Sequence, residues 1–321
     1  MMFNETSYRI HKECLLVNSE NDKRLQKSWF NQDTVDHWRH ARMYAPLIPL
    51  LRSFPGTSWL TVGDGRFGLD SVRLKRIEPS LKILPTDVSP YLLEEAKRHA
   101  IIEDYSVENA EFLSFKDNEF DFAFCKEAFH HFPRPYLAVY EMLRVARKGI
   151  FFIEPNEKYP LPAFRNLLGN IINVLKKAAG QVIPHRDSAF FEIAGNYIYT
   201  LSKREVEKIG LGLQLPGVAT KFFNDHYEEG VEFEKISDSS KLFAKVKKKI
   251  AWRQLKCDLG LSFPSNIIAC IFKELPDSKT LDLLKKEDFE VNLLPRNPFL
   301  QKIVAAFFCC TEAVACLVLY H

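Results

Sequence analysis

The chain of 321 residues predicts an α/β fold: a doubly wound, mostly parallel sheet of seven strands, with helices on both faces and inserted helices in the C-terminal half. Three observations lead there. From residue 58 to 155 short apolar runs alternate with helical patterns, as parallel strands joined by right-handed crossovers do. The first run, "SWLTV" (58–62), passes straight into "GDGRFG" (63–68), glycines at G-x-G-x-x-G spacing where a strand turns tightly into a helix. A hydrophobic content of 46% allows a sizeable core, and no Pro/Gly/Ser-rich linker separates the later half from the first.

The elements follow in order. "NQDTVDHWRHARMYAPLIPLL" (31–51) has Asp33 or Thr34 as a cap and Trp38, Met43, Leu47 and Leu51 at helical spacing, which predicts one or two helices. "SWLTV" is a buried strand that stops at Gly63, and "DSVRLKRI" (70–77) the helix after it. "SLKILPTDVS" (80–89) is a second strand ending at Asp87; Pro85 cannot donate to a ladder and is expected near the strand's carboxyl end. A helix starts at Pro90 in "PYLLEEAKRHA". "ENAEFLSF" (108–115) gives a short third strand and loop, "FDFAFC" (120–125) a fourth strand, "RPYLAVYEMLRVA" (134–146) a helix and "KGIFFIEP" (148–155) a fifth strand. Beyond Pro155 the pattern predicts a helix over 161–180, a loop-rich aromatic stretch over 181–200 and a helix in "SKREVEKIG" capped by Ser202. Strands around 213–222 and 266–273 flank a basic helix near 240–257.

Charge and cysteine usage narrow the class. Lys plus Arg is 44 against Asp plus Glu 41, so a net charge of +3 makes no broad electrostatic case for nucleic acid. The seven cysteines (14, 125, 257, 270, 309, 310, 316) form no C-x-x-C pair and several lie in apolar runs, which points to a reducing, cytoplasmic setting. "MMFNETSYRIHKE" lacks the apolar core of a signal peptide, so export is not expected. No short His, Cys or acid cluster has metal-ligand spacing, so no metal is expected. Residues 303–320 form an apolar stretch interrupted by Thr311 and Glu312, which reads as a buried or interface helix. A membrane-associated tail is the alternative, with a lipid-like acceptor. "KVKKKIAWRQLK" reads as a solvated helix face, the alternative being attraction of phosphate or an acidic carrier.

Ligands of such a sheet sit beyond the carboxyl ends of the strands, where strand order reverses. Gly63, Gly65 and Gly68 each remove a Cβ there and let a ligand approach the main chain. Asp87, nineteen residues past Gly68, can accept hydrogen bonds from both hydroxyls of a ribose. Together they indicate an adenosine-containing cofactor, without separating a nicotinamide dinucleotide from S-adenosylmethionine.

At "ENAEFLSFKDNEFDFAFCKEAFHHF" and again at "YEMLRVARKGIFFIEP" the chain resembles the class I S-adenosylmethionine-dependent methyltransferases, over about residues 55–157. That resemblance implies a Rossmann-like fold, S-adenosylmethionine as cofactor, and the glycine loop Gly63, Asp64, Gly65 against the cofactor's amino-acid part. It implies Asp87 on the ribose, Val88 on the adenine, and Asn109 and Ala110 at the adenine edge, the Asn109 amide oxygen accepting from the exocyclic amine. Lys126 and Glu127 would border the sulfonium and the substrate. Two positions depart from the family pattern: Thr61 stands where an acid often anchors the cofactor's ammonium group, and Asn109 where Asp is usual. Thr61 leaves the ammonium contact to Asp64, Glu127 or backbone carbonyls. The extra residue in "GDGRFG" keeps an NAD-dependent dehydrogenase as one alternative, and the two departures a non-catalytic cofactor-binding protein as another.

The expected organisation is a helical cap (1–50), an S-adenosylmethionine-binding core (51–160), a substrate-lid insertion (161–212), a segment completing the sheet (213–300) and a hydrophobic helix (301–321). The expected activity is methyl transfer to an oxygen, nitrogen or carbon nucleophile of a small molecule or biosynthetic intermediate, without a nucleic-acid partner. A hydroxyl acceptor needs a base, and His130 and His131 after the fourth strand are the catalytic candidates; a loop-packing role for the pair is the alternative. Glu154 is read as a substrate contact or a loop-pairing carboxylate. Arg42 could pair with the cofactor carboxylate, although most charges of "DHWRHARM" suit a solvated face. His185, Arg186, Glu192, Asn196 and Tyr197 form a polar, aromatic cluster in the expected lid, and His226 reads as a hairpin or loop surface group, a pocket residue being the alternative.

Overall fold

Strand and helix here are fixed by which face each run can bury. The computed structural model describes residues 2–13, 19–157, 191–192 and 196–298. Eight strands form one sheet in the order β3-β2-β1-β4-β5-β7-β6-β8. They are β1 Ser58–Val62, β2 Lys82–Asp87, β3 Ser106–Val107, β4 Phe120–Lys126, β5 Ala146–Pro155, β6 Gly217–Phe223, β7 Asn266–Phe272 and β8 Glu290–Leu293. β1 to β5 pair in parallel. β7 runs antiparallel between β5 and β6, and β8 antiparallel along β6. Six of the seven expected strands lie where expected, the third is displaced, and β8 adds an edge strand.

The helices are α1 Met2–Glu13, α2 Glu20–Ser28, α3 Val35–Tyr44, α4 Ile48–Arg52, α5 Leu69–Ile77, α6 Tyr91–Arg98, α7 Pro135–Val145, α8 Lys203–Gly212, α9 Lys241–Asp258 and α10 Ser278–Lys286. Successive side chains of a strand point to opposite faces, and β1 shows the consequence. Leu60 and Val62 join Ala138, Val139 and Met142 of α7 on one side. Trp59 joins Met43 and Leu47 with Leu50 and Leu51 of α4 on the other. Local chemistry sets the ends: Thr34 rather than Asp33 caps α3 by accepting from the His37 N–H at 3.2 Å. Ser202 and Glu205 close a reciprocal capping box at α8.

The third strand differs from expectation. It lies at Ser106–Val107, and Asn109 to Phe112 form a turn in which the Asn109 Oδ1 accepts the Glu111 N–H at 3.0 Å. Side-chain competition for backbone donors thus overrides the strand pattern there. Pro85 is registered against Thr61 of β1, while β3 pairs only from Thr86 onward, so no partner on that edge demands its missing donor. The expected helices over 161–180 and 301–321 lie outside the described residues, as does most of the expected lid. Among the described residues no helix is long and apolar enough to cross a membrane.

Gly68 illustrates how tightly the first crossover packs. Its φ is +65°, and a Cβ there would stand 2.9 Å from Ile102 Cγ2 and 3.4 Å from Pro85. Gly68→Ala is therefore expected to lower stability by about 2 kcal/mol, from left-handed strain and overpacking, in urea unfolding.

Candidate functional site

Strand order turns back at β1, with β2 on one side and β4 on the other, so a crevice opens beyond their carboxyl ends. A cavity of about 740 Å³ occupies it, within the range of small-molecule and cofactor sites. Gly63, Asp64, Gly65, Asp87, Val88, Asn109, Ala110, Lys126, Glu127, His130 and His131 line it, together with Tyr8 and His11 of α1 and Asp36, Arg39 and His40 of α3. Gly68, expected with the glycine loop at the cofactor, does not: it packs under the loop against Ile102 and Pro85.

Each glycine position answers a different demand. At Gly63 (φ +78°) a Cβ would fall 2.3 Å from the Ala128 Cβ, so the turn after β4 requires the missing side chain there. Asp64 turns its carboxylate toward the start of α5, where it accepts the N–H groups of Asp70 (3.0 Å) and Ser71 (2.9 Å) and the hydroxyls of Thr61 (2.9 Å) and Ser71 (2.8 Å). Thr61, in place of the family acid, is tied into that same buried network. Burial and the neighbouring Asp70 push Asp64 up to about 7.

Asp87 ends β2 half-buried and accepts the Ser89 N–H at 2.7 Å. Burial pushes it up to about 6, with N–H bonds from Ser89, Gly65 and Val88 working the other way. A folded value above the ordinary 3.8 means that ionising Asp87 costs stability; its contribution to folding is greatest at low pH and declines as pH rises through about 6. Asn109 lines the cavity, yet its amide oxygen already holds the Glu111 N–H. α1 is fastened over this end: Tyr8 donates to Glu111 at 2.5 Å, and Arg134 donates to Glu111 at 2.6 Å and to Tyr8 Oη at 3.0 Å.

Beyond β4 the cavity wall is charged. Glu127, at φ +49°, pairs with Lys126 at 2.7 Å, and His40 Nδ1 lies 3.6 Å from the same carboxylate oxygen. Burial opposes its ionisation, but Lys126 and then His40 hold Glu127 well below the usual carboxylate range. Burial, reinforced by Lys126, pushes His40 well below 6.5. Arg39, buried, donates to Asp36 at 2.8 Å and to Asp225. Arg42, expected at the cofactor carboxylate, instead lies over the Trp38 ring and outside the cavity lining.

The two histidines diverge. His130 Nδ1 stands 2.7 Å from Oε2 of the fully buried Glu154, whose Oε1 accepts the N–H groups of Ala128 (2.9 Å) and Phe129 (3.0 Å). Glu154 is thus the loop-pairing carboxylate of the two readings. Burial alone would lower His130, but the Glu154 hydrogen bond and charge outweigh it and raise the imidazole above 6.5. His131 Nδ1 meets Glu192, while the Asn196 amide donates to the His131 carbonyl at 3.1 Å and its Oδ1 lies 3.1 Å from His11 Nε2. Glu192 and Asn196 of the expected lid cluster therefore do reach the site. His185 and Arg186 lie outside the described residues, and His226 pairs with Glu228 at 3.0 Å away from the cavity.

The residues fit an adenosine-bearing cofactor: the cavity joins the main chain of Gly63 and Gly65, a half-buried carboxylate at the second strand end and the small apolar Val88 and Ala110. Among the described residues no group of three His, Cys, Asp or Glu side chains is arranged to hold a metal.

Residues 60–153 match the family model described as a methyltransferase domain. No curated protein matches the chain. Among solved structures, the YcgJ protein of Bacillus subtilis is 18% identical, covering 73% of this chain and 100% of its own, with a TM-score of 0.45. An S-adenosylmethionine-dependent methyltransferase of Thermotoga maritima is 16% identical, covering 85% of this chain and 100% of its own, with a TM-score of 0.42. One from Methanosarcina mazei is 15% identical, covering 71% and 98%, with a TM-score of 0.41. The family match runs from within β1 to Ile153 of β5, the segment that supplies the strand-end wall of the cavity. Over residues 60–153 the chain is similar to a methyltransferase domain, and S-adenosylmethionine is the cofactor that this similarity implies.

Proposed function

We propose that this domain transfers a methyl group to an oxygen, nitrogen or carbon nucleophile of a small molecule or biosynthetic intermediate, with His130 as the general base for a protic acceptor. The hydrogen bond of 2.7 Å between His130 Nδ1 and Glu154 at the cavity wall carries this reading. A carboxylate that accepts a hydrogen bond from Nδ1–H keeps the proton there and leaves Nε2 of the neutral ring as the acceptor. Asp87 holds the ribose hydroxyls, Val88 and Ala110 flank the adenine, and Gly63 and Gly65 admit the cofactor's amino-acid part. Bound S-adenosylmethionine supplies an electrophilic methyl on a sulfonium. The chain's task is to orient the acceptor against it and accept its proton at His130.

Asp64 and Asn109 take different parts from those the resemblance implied. The Asp64 carboxylate organises the start of α5, and Asn109 shapes the turn beside Ala110. His131 acts through Glu192 and Asn196 to bind α1 and these two residues at the cavity, which suits a substrate cover. The test is transfer of labelled methyl from S-adenosylmethionine across acceptor classes, with His130→Ala and His131→Ala compared. A strong effect at 130 and a weak one at 131 is expected; equal minor effects would remove the base.

The state of Asp87 yields a pH test. Ribose hydroxyls donate to the carboxylate, so binding favours the ionised form. Affinity for S-adenosylhomocysteine, the demethylated product, is expected to be level above about pH 6 and to fall roughly tenfold per unit below it. Calorimetry across that range reads it, and a flat profile in which Asp87→Asn changes nothing would place the ribose elsewhere.

A further inference from the structure

We propose that the outward face of α9 is a peripheral docking surface for a membrane rich in anionic phospholipid. Among the described residues the helix is seated by one side. Phe243, Val246 and Ile250 are buried against Val35 and Val231. Farther along, Arg253 donates to the Asp225 carbonyl and Gln254 accepts from Asn224 at 2.9 Å. Among the described residues nothing covers the opposite side: Trp252, Leu255 and Leu259 are exposed by 53%, 46% and 62%, and follow one another at i, i+3 and i+7, a single stripe. Leu261, just past the helix, is exposed as well.

The same face carries charge. Lys241 and Lys248 fall on the line of Trp252 toward the start of the helix, and Lys249 beside it; all three are exposed and none forms an ion pair among the described residues. Lys256 sits over the Trp252 ring at 5.1 Å. Apolar side chains including a tryptophan, flanked by unpaired lysines, match the boundary between headgroups and acyl chains, where aromatic and aliphatic groups dip in and ammonium groups meet phosphates. A planar partner is favoured over a protein groove, because the contacts at Asn224 and Asp225 keep a groove from enclosing the helix. No described helix crosses the membrane, so the contact is superficial.

The experiment uses the full chain and sedimenting vesicles of phosphatidylcholine alone or mixed with phosphatidylserine. Binding to the mixed vesicles only, weakened by salt, is expected. A lysine near an anionic surface contributes roughly fivefold to binding, so Lys241→Gln, Lys248→Gln and Lys249→Gln together should weaken it about a hundredfold. Trp252→Ala with Leu255→Ala and Leu259→Ala should weaken it independently, through exposed positions that leave the thermal midpoint unchanged. Equal binding to neutral vesicles, no binding to either, or full binding by both triple variants would overturn the proposal. The last outcome would move the contact to another part of the chain, and the second would leave the face to a protein partner.

Discussion

His130→Ala is expected to lower turnover on a hydroxyl acceptor by about 10²- to 10³-fold, with S-adenosylhomocysteine binding unchanged. The magnitude is that of a positioned base. Turnover of the native protein should rise with pH through a value above 6.5, since Glu154 favours the protonated ring and only the neutral ring accepts a proton. Glu154→Gln separates positioning from packing. The glutamine oxygen can still accept the Ala128 and Phe129 N–H groups, but its amide NH2 would face His130 Nδ1 and donate to it, which turns that nitrogen into an acceptor. The proton then sits on Nε2, which can no longer act as base. Turnover should fall nearly as far as in His130→Ala, and the residual pH profile should move to lower pH. An unshifted profile would show that Glu154 only braces the loop.

Asp87→Ala is expected to weaken S-adenosylhomocysteine binding by about 2–3 kcal/mol, roughly 30- to 150-fold, because a charged acceptor for two hydroxyls is lost. Stability should not suffer at neutral pH. Burial already pushes Asp87 up to about 6, so the ionised carboxylate is held at a cost the alanine avoids. Weak binding with an undiminished thermal midpoint would tie the loss to the ligand; full affinity in the folded variant would take the ribose away from this residue.

What could be read from the sequence was local. β1, β4 and β5 were legible because largely buried strands are nearly continuous apolar runs, and Asp87 because it ends the shorter apolar run of β2. Long-range partners were not. Glu154 is 24 residues from His130 and meets it only because β4 and β5 pair in parallel, Lys126 beside Ile153. Tyr8 and His11 share one face of a helix, but nothing in their spacing says that the face covers a cavity. Arg42, one option for the cofactor carboxylate, lies over Trp38 outside the cavity lining, while Arg39 of the same helix is buried and paired with Asp225 from far along the chain. Asp64 was read outward because its loop borders the ligand, whereas its oxygens complete the first turn of α5. β8, "EVNL", was missed because a short edge strand with a polar residue at its centre lacks an apolar signature.

The carboxylate that orients His130 belongs to β5, a central strand clamped between two neighbours, while Glu192 and Asn196 come from outside the sheet. Drift in the outer segments can therefore retune which molecule is welcomed while the proton-accepting pair stays in place. Selection for a new acceptor has somewhere to act that does not threaten the fold.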